Sequence, residues 1–107
     1  MAEEFGRLAA LRPANTDEAE LYEVPASTQI NATLYICNQD TSSRSCYVAH
    51  TDADGAAADE DWILYNYSID AGSAINISLA LKAGEWVRIK ASVADKVSFV
   101  LEGLKIS

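Results

Sequence analysis

The chain has 107 residues, half of them hydrophobic, and carries 16 Asp and Glu against 8 Lys and Arg for a formal charge of -8. That length makes one domain with a modest core of its own, and the apolar share sets aside a disordered body. The negative balance argues against nucleic acid or an anionic membrane as partner, since both call for cations, and no apolar run approaches the ~20 residues of a membrane helix.

The chain opens on Met1 to Glu4, which reads as an arm, followed by the apolar stretch Phe5 to Leu11, read as a first strand or a strap laid on a neighbour. Residues 1–11 are therefore taken as an N-terminal arm or strap, and 12–107 as a β-sandwich domain. On that division, deletion of 1–11 is expected to leave a folded domain. The N-terminus has neither a basic region nor a long apolar one, so it does not read as a signal peptide and synthesis in the cytoplasm is expected.

Arg12 to Asp17 is a turn, with Pro13 fixing φ and Asn15 and Asp17 suited to bonding their own backbone. Glu20 to Val24 reads as a strand stopped by Pro25. Thr28 to Asn38 reads as a strand that alternates apolar and polar residues almost without fault from Thr28 to Ile36, as does Ala74 to Leu81, and Trp86 to Val93 does the same within a strand expected from Glu85. Such alternation specifies strands with one buried and one wet face. Ser45 to Thr51, Trp62 to Ile69 and Val97 to Ile106 complete the set. Tight turns fall at Asp70 to Ser73 and Lys82 to Glu85, each with a glycine. The fold class is all-β: an antiparallel β-sandwich, jelly-roll-like, of seven to eight strands. Its expected core is Ile30, Leu34, Ile36, Val48, Ile63, Ile69, Ile75, Ile77, Leu79, Leu81, Val87, Ile89, Val97, Phe99 and Leu101.

Residues that could carry chemistry are sparse. The single histidine, His50, has no nucleophile in a recognisable context and reads as a structural strand residue. Phosphate-loop and dinucleotide fingerprints do not occur, and no cofactor is implied. The loop Asp52 to Asp61 gathers carboxylates, so Asp52, Asp54, Asp59 and Asp61 form a weak candidate for Ca²⁺. It fails the EF-hand pattern, because Ala56 and Ala57 stand where a ligand and a glycine belong. Asp59 and Asp61 also form a carboxylate pair of the kind glycosidases use, but on an Ala-rich loop without evident support. Cys37 and Cys46 flank a polar tip as if on facing strands of one hairpin. A reducing compartment favours free thiols over a disulfide there. The aromatics, Tyr22, Trp62 and Trp86 among them, suit a protein interface, a sugar-stacking surface or plain sheet packing.

One set of residues carries a resemblance. Leu21-Tyr-x-Val24-Pro25-Ala26, Cys37-Asn38, Tyr47-x-Ala49, the Ala-Asp loop before Trp62-x-x-Tyr65, Leu81-Lys-Ala-Gly84-Glu85, Ile89-x-Ala91-Ser92-x-Ala94 and Val97-Ser-Phe99-x-Leu101-x-Gly103 occur in this order. Over about Arg7 to Gly103 this resembles small virion-associated structural proteins of tailed bacteriophages. Cys46 departs from the pattern. The resemblance implies a β-sandwich that assembles on a virion and is silent on its place there. Together with the small size and the lack of a chemical site, it leads to the expectation of a non-enzymatic virion protein made in the host cytoplasm, foremost a capsid decoration (cement) protein that stabilises the head. The alternative is a tail, baseplate or fibre module able to bind host glycans. The expected partners are further copies of itself, as a homotrimer, and the major capsid protein or other virion proteins. The expected interface is Phe5, Leu8 and Leu11 of the strap with Tyr22, Trp62 and Trp86.

Overall fold

The computed structural model describes residues 2–107, so Met1 of the expected arm lies outside it. The described residues form eight strands: β1 (Glu3–Leu11), β2 (Ala19–Glu23), β3 (Gln29–Asn38), β4 (Arg44–Thr51), β5 (Trp62–Ile69), β6 (Ala74–Lys82), β7 (Trp86–Ala91) and β8 (Val97–Ile106). One 3-10 turn, Asp59–Asp61, precedes β5. The strands form two four-stranded sheets, ordered β1-β8-β3-β6 and β2-β7-β4-β5. Every pairing is antiparallel.

The order has a simple rule. β1 pairs with β8, β2 with β7, β3 with β6 and β4 with β5. The first half of the chain runs out and the second half returns along it, and the doubled ribbon winds into two facing sheets. This is the jelly-roll arrangement of an all-β sandwich, as the alternation implied.

The core fills the space between the sheets. Ile30, Leu34 and Ile36 of β3, Phe99 and Leu101 of β8, and Leu79 and Leu81 of β6 meet Val48 of β4 and Val87 and Ile89 of β7. Each side chain of this size contributes roughly 1.5–3 kcal/mol when fully buried. Three expected core positions differ. Ile63 is 47% exposed, and Ile75 and Ile77 are only half-buried. Ile63 lies where β5 carries an extra residue against β4, so alternation does not deliver it inward. Ile75 and Ile77 are on an edge strand, where the sandwich is open on one side.

Of the two readings of Phe5 to Leu11, the first strand is the one present: it belongs to edge strand β1, paired with β8 from Glu3 to Leu11, with Leu8 and Ala9 packed on the core. Cys37 and Cys46 are not across one hairpin: β3 and β4 belong to opposite sheets, and both thiols are free.

The connections are held by specific groups. Asn38, fully buried at the end of β3, donates its amide to the carbonyls of Ser42, Ile69 and Asp70, and its Oδ1 accepts from the Asp40 amide. One side chain thus ties the β3–β4 connection to the β5–β6 turn. Gly103 is opposite Gly6 on one side and Ala32 on the other. A Cβ there would fall 2.4 Å from the Asn31 carbonyl oxygen and 2.6 Å from the Ala32 Cα, so only glycine lets β8 lie against β3 at this point.

Candidate binding surface

The outer face of the second sheet carries a cluster of aromatic rings. Tyr47 stands between Cys46 and Val48, both fully buried, so it points away from the core. Lys90, directly opposite it on β7, points the same way between buried Ile89 and Ala91. Its Nζ lies 4.9 Å from the centre of the Tyr47 ring, a cation–π contact. Trp62 and Tyr65 of β5 complete the cluster. Ring centres are 5.1 Å apart for Tyr47 and Tyr65, 5.8 Å for Trp62 and Tyr65, and 6.0 Å for Tyr47 and Trp62. All three pairs meet edge to face, the arrangement the ring quadrupoles favour.

The backbone of β5 makes this gathering possible. Between Tyr67 and Leu64, and again between Leu64 and Trp62, β5 carries one residue more than β4. These are β-bulges, which re-aim side chains. Asn66, in the first bulge, has φ 54°, and its Oδ1 accepts a hydrogen bond of 3.1 Å from the Tyr47 hydroxyl. In an unbroken strand, Trp62 and Tyr65 would point to opposite faces; with the bulges, their rings touch.

Trp62 and Tyr65, together with Asp59, line an open cleft of about 450 Å³. Tyr65 is 71% exposed. The surface therefore offers aromatic faces and edges, a carboxylate at the margin and an ammonium group across the sheet. It can form apolar and hydrogen-bonded contacts with a protein loop or with a sugar ring.

The acidic loop beside the cluster is fastened. Glu18 accepts hydrogen bonds through one carboxylate oxygen from Arg88 Nε and from the Ala57 amide, the latter at 2.9 Å. Asp61 accepts from the Ala58 amide at 2.9 Å, and Asp54 from the Gly55 amide at 2.9 Å. These carboxylates serve the loop's own backbone. Among the described residues no group of three or more His, Cys, Asp or Glu is placed to hold a metal ion, so Asp52, Asp54, Asp59 and Asp61 do not converge. Glu18 was not singled out from the sequence, where it is an ordinary acidic residue; its role arises from Arg88, seventy positions away.

The six expected interface residues are divided between the sheets. Phe5, Leu8 and Leu11 lie on β1 of the first sheet, with Phe5 83% exposed and Leu8 half-buried against the core. Tyr22, Trp62 and Trp86 belong to the second sheet, and Tyr22 packs on the core. Of the six, Trp62 alone belongs to the aromatic cluster; Tyr47 and Tyr65, its other members, lie outside the expected set. Their signal was the Tyr47/Trp62-x-x-Tyr65 spacing, which shows its meaning only once the bulges are known.

His50 is at another part of the molecule. Its Nε2 lies 2.9 Å from Glu85 Oε1, which also accepts from the Lys82 amide at 2.8 Å. Burial works to raise the Glu85 carboxyl, but the Lys82 amide and His50 outweigh it and hold it below its ordinary value. This group closes the β6–β7 turn, which is further held by Val24 through hydrogen bonds between the Val24 and Glu85 backbones and between Gly84 and Val24.

No protein-family model matches the chain, and no curated protein matches it in sequence. Among the described residues no helix is long and apolar enough to cross a membrane.

Proposed function

We propose that this chain is a non-enzymatic structural protein of a bacteriophage virion, attached to the capsid as a decoration protein. The reading comes from the sequence resemblance and is supported by one observation above all. The Tyr47–Trp62–Tyr65 cluster is an outward-facing aromatic patch, with Tyr65 exposed and Tyr47 and Trp62 half-buried, of the composition that protein interfaces favour at their centres. The jelly roll is a fold widely used by capsid and lectin domains, which is agreement by analogy. Lys90 and the neighbouring acidic loop supply charges at the margin, where they set on-rate and salt sensitivity more than affinity.

The test is attachment to heads. Purified protein is added to undecorated DNA-filled heads without tails, and co-sedimentation is measured for the natural chain and for Tyr65→Ala. Binding by the first and at least a tenfold weaker binding by the second support the reading. Absence of the protein from mature virions by mass spectrometry overturns it.

A second reading has its own observation. The cleft between Asp59, Trp62 and Tyr65 combines ring faces with a carboxylate, a pairing that suits a sugar ring. It favours a tail or fibre module that touches host glycans. Binding on a glycan array, together with loss of the protein from particles that lack tails, would select this reading over decoration.

A further inference from the structure

A sandwich of two open sheets has four edges, and here they are β1, β6, β2 and β5. An edge presents unpaired N–H and C=O groups to any strand that approaches, so edges are usually blunted by bulges, charges or shortness. Three of these follow the rule. β1 carries an extra residue between Arg7 and Ala9 and the charges Glu3, Glu4 and Arg7. β2 is five residues long, carries an extra residue between Glu20 and Tyr22, and has Glu20 and Glu23. β5 has two extra residues.

β6 breaks it. Its register against β3 is unbroken from Ala74 to Lys82, nine consecutive pairs. It has no proline and no charge before Lys82. No acidic residue occurs between Ser73 and Gly84 in a chain of net charge -8, so a second copy meets least repulsion along this edge.

We propose that β6 is a self-association edge, pairing antiparallel with β6 of a second copy about a two-fold axis at Ser78. Residue numbers facing each other then sum to 156. Ile77 lies opposite the partner's Leu79, and Ile75 opposite the partner's Leu81. Because the spacing is even, the inward rows of both copies fall on one face, and the half-buried Ile75 and Ile77 gain apolar neighbours. On the other face Asn76 meets the partner's Ala80. At each end, Lys82 lies opposite the partner's Ala74, so the two lysines of the edges do not face one another. The two four-stranded sheets join into one of eight. The contact is isologous and consumes both open edges, so it closes at two copies rather than growing into a fibre. This differs from the homotrimer expected of a decoration protein, and it stands independently of the virion reading.

One strand pair is a small interface beside the roughly 1,200–2,000 Å² of stable complexes, so association is weak and needs concentrated protein. The test is mass by sedimentation of the whole chain at rising concentration, up to about 1 mM. The natural chain is expected to move from 11.5 kDa to twice that mass. Ser78 is exposed and would face itself across the axis, so Ser78→Lys and Ser78→Glu each place like charges opposite one another and are expected to stay at 11.5 kDa. An equal mixture of the two is expected to recover the doubled mass. Hydrogen exchange of the natural chain supplies a readout free of substitutions: alternate amides of 74–82 slow as concentration rises, while the outward amides of β1, β2 and β5 do not. A natural chain that stays monomeric overturns the proposal, as does a trimer, or a Ser78→Lys chain that doubles like its parent. A mixture that fails to recover overturns the Ser78-centred register.

Discussion

Gly103 shows how a single position can hold two strands together. With the Asn31 carbonyl oxygen 2.4 Å from where a Cβ would be, and backbone rather than a flexible side chain in the way, β3 and β8 would have to separate. Gly103→Ala is expected to lower stability by about 2 kcal/mol or more, read as a fall in melting temperature with the β-sheet spectrum retained. Cys46 offers a second test. It is fully buried, and burial pushes its thiol up from 9.0 to about 11. The folded state keeps the neutral thiol while the unfolded state ionises more readily. The stabilisation from this group is therefore complete below pH 9 and is lost as pH rises through about 11. Alkylation under native conditions is expected to modify half-buried Cys37 first, with Cys46 reacting only at the rate of unfolding; equal rates for the two thiols would contradict this burial.

At the scale of elements, the β4–β5 connection depends on a contact remote in sequence. Glu18 joins Ala57 to Arg88, so a residue before β2 holds a loop after β4 against β7. Glu18→Gln keeps the size but weakens acceptance from the guanidinium. It is expected to raise the rate of proteolysis within 52–58 several-fold with little change in melting temperature. A rate equal to that of the natural chain would show that the loop is held without Glu18. Strand positions were largely legible because alternation survives wherever pairing is regular: Ala74 to Leu81 falls within β6, whose register is unbroken, and Val97 to Ile106 matches β8 end to end. Faces were legible only where no extra residue intervenes. A strict period of two places Ile63 in the core because it leaves no room for the bulges of β5. The same bulges concealed the aromatic cluster, since Trp62 and Tyr65 three residues apart read as opposite-facing. The Asp52 to Asp61 loop was legible as acidic, but its support from Glu18 was not, because nothing local marks so distant an ion pair.

At the scale of the whole molecule, the pairing of first strand with last changes what the N-terminal segment means. Read from the sequence, Phe5 to Leu11 looked separable because the alternating core strands all begin later. In the structure β1 covers the flank of β8, and Ala2 and Ser107 exchange two backbone hydrogen bonds of 2.8 Å. Removal of residues 1–11 would uncover Leu101 and Phe99 on one side and leave β8 as a long bare edge. The truncated chain is expected to melt at a markedly lower temperature and to aggregate. A truncation as stable and soluble as the full chain would restore the strap. The fold class was legible because it needs only alternation and turn spacing. The pairing of particular strands was not, because it depends on contacts between residues as far apart in the chain as Glu3 and Ile106.

The nested order of strand pairs also sets a history for the molecule. β4 and β5 are neighbours in the chain, whereas β1 can meet β8 only across nearly its whole length. Closing short loops costs less entropy than closing long ones, so the ribbon is expected to zip from its bend toward its ends, β4·β5 first and β1·β8 last. Refolding on the millisecond-to-second scale follows from such distant pairings. Substitutions in β1 should then accelerate unfolding while leaving the refolding rate nearly unchanged, whereas substitutions in the β4·β5 pair should slow refolding. Stopped-flow measurements on Leu8→Ala and Val48→Ala would show the contrast, and a slowed refolding of Leu8→Ala would place the closing step first.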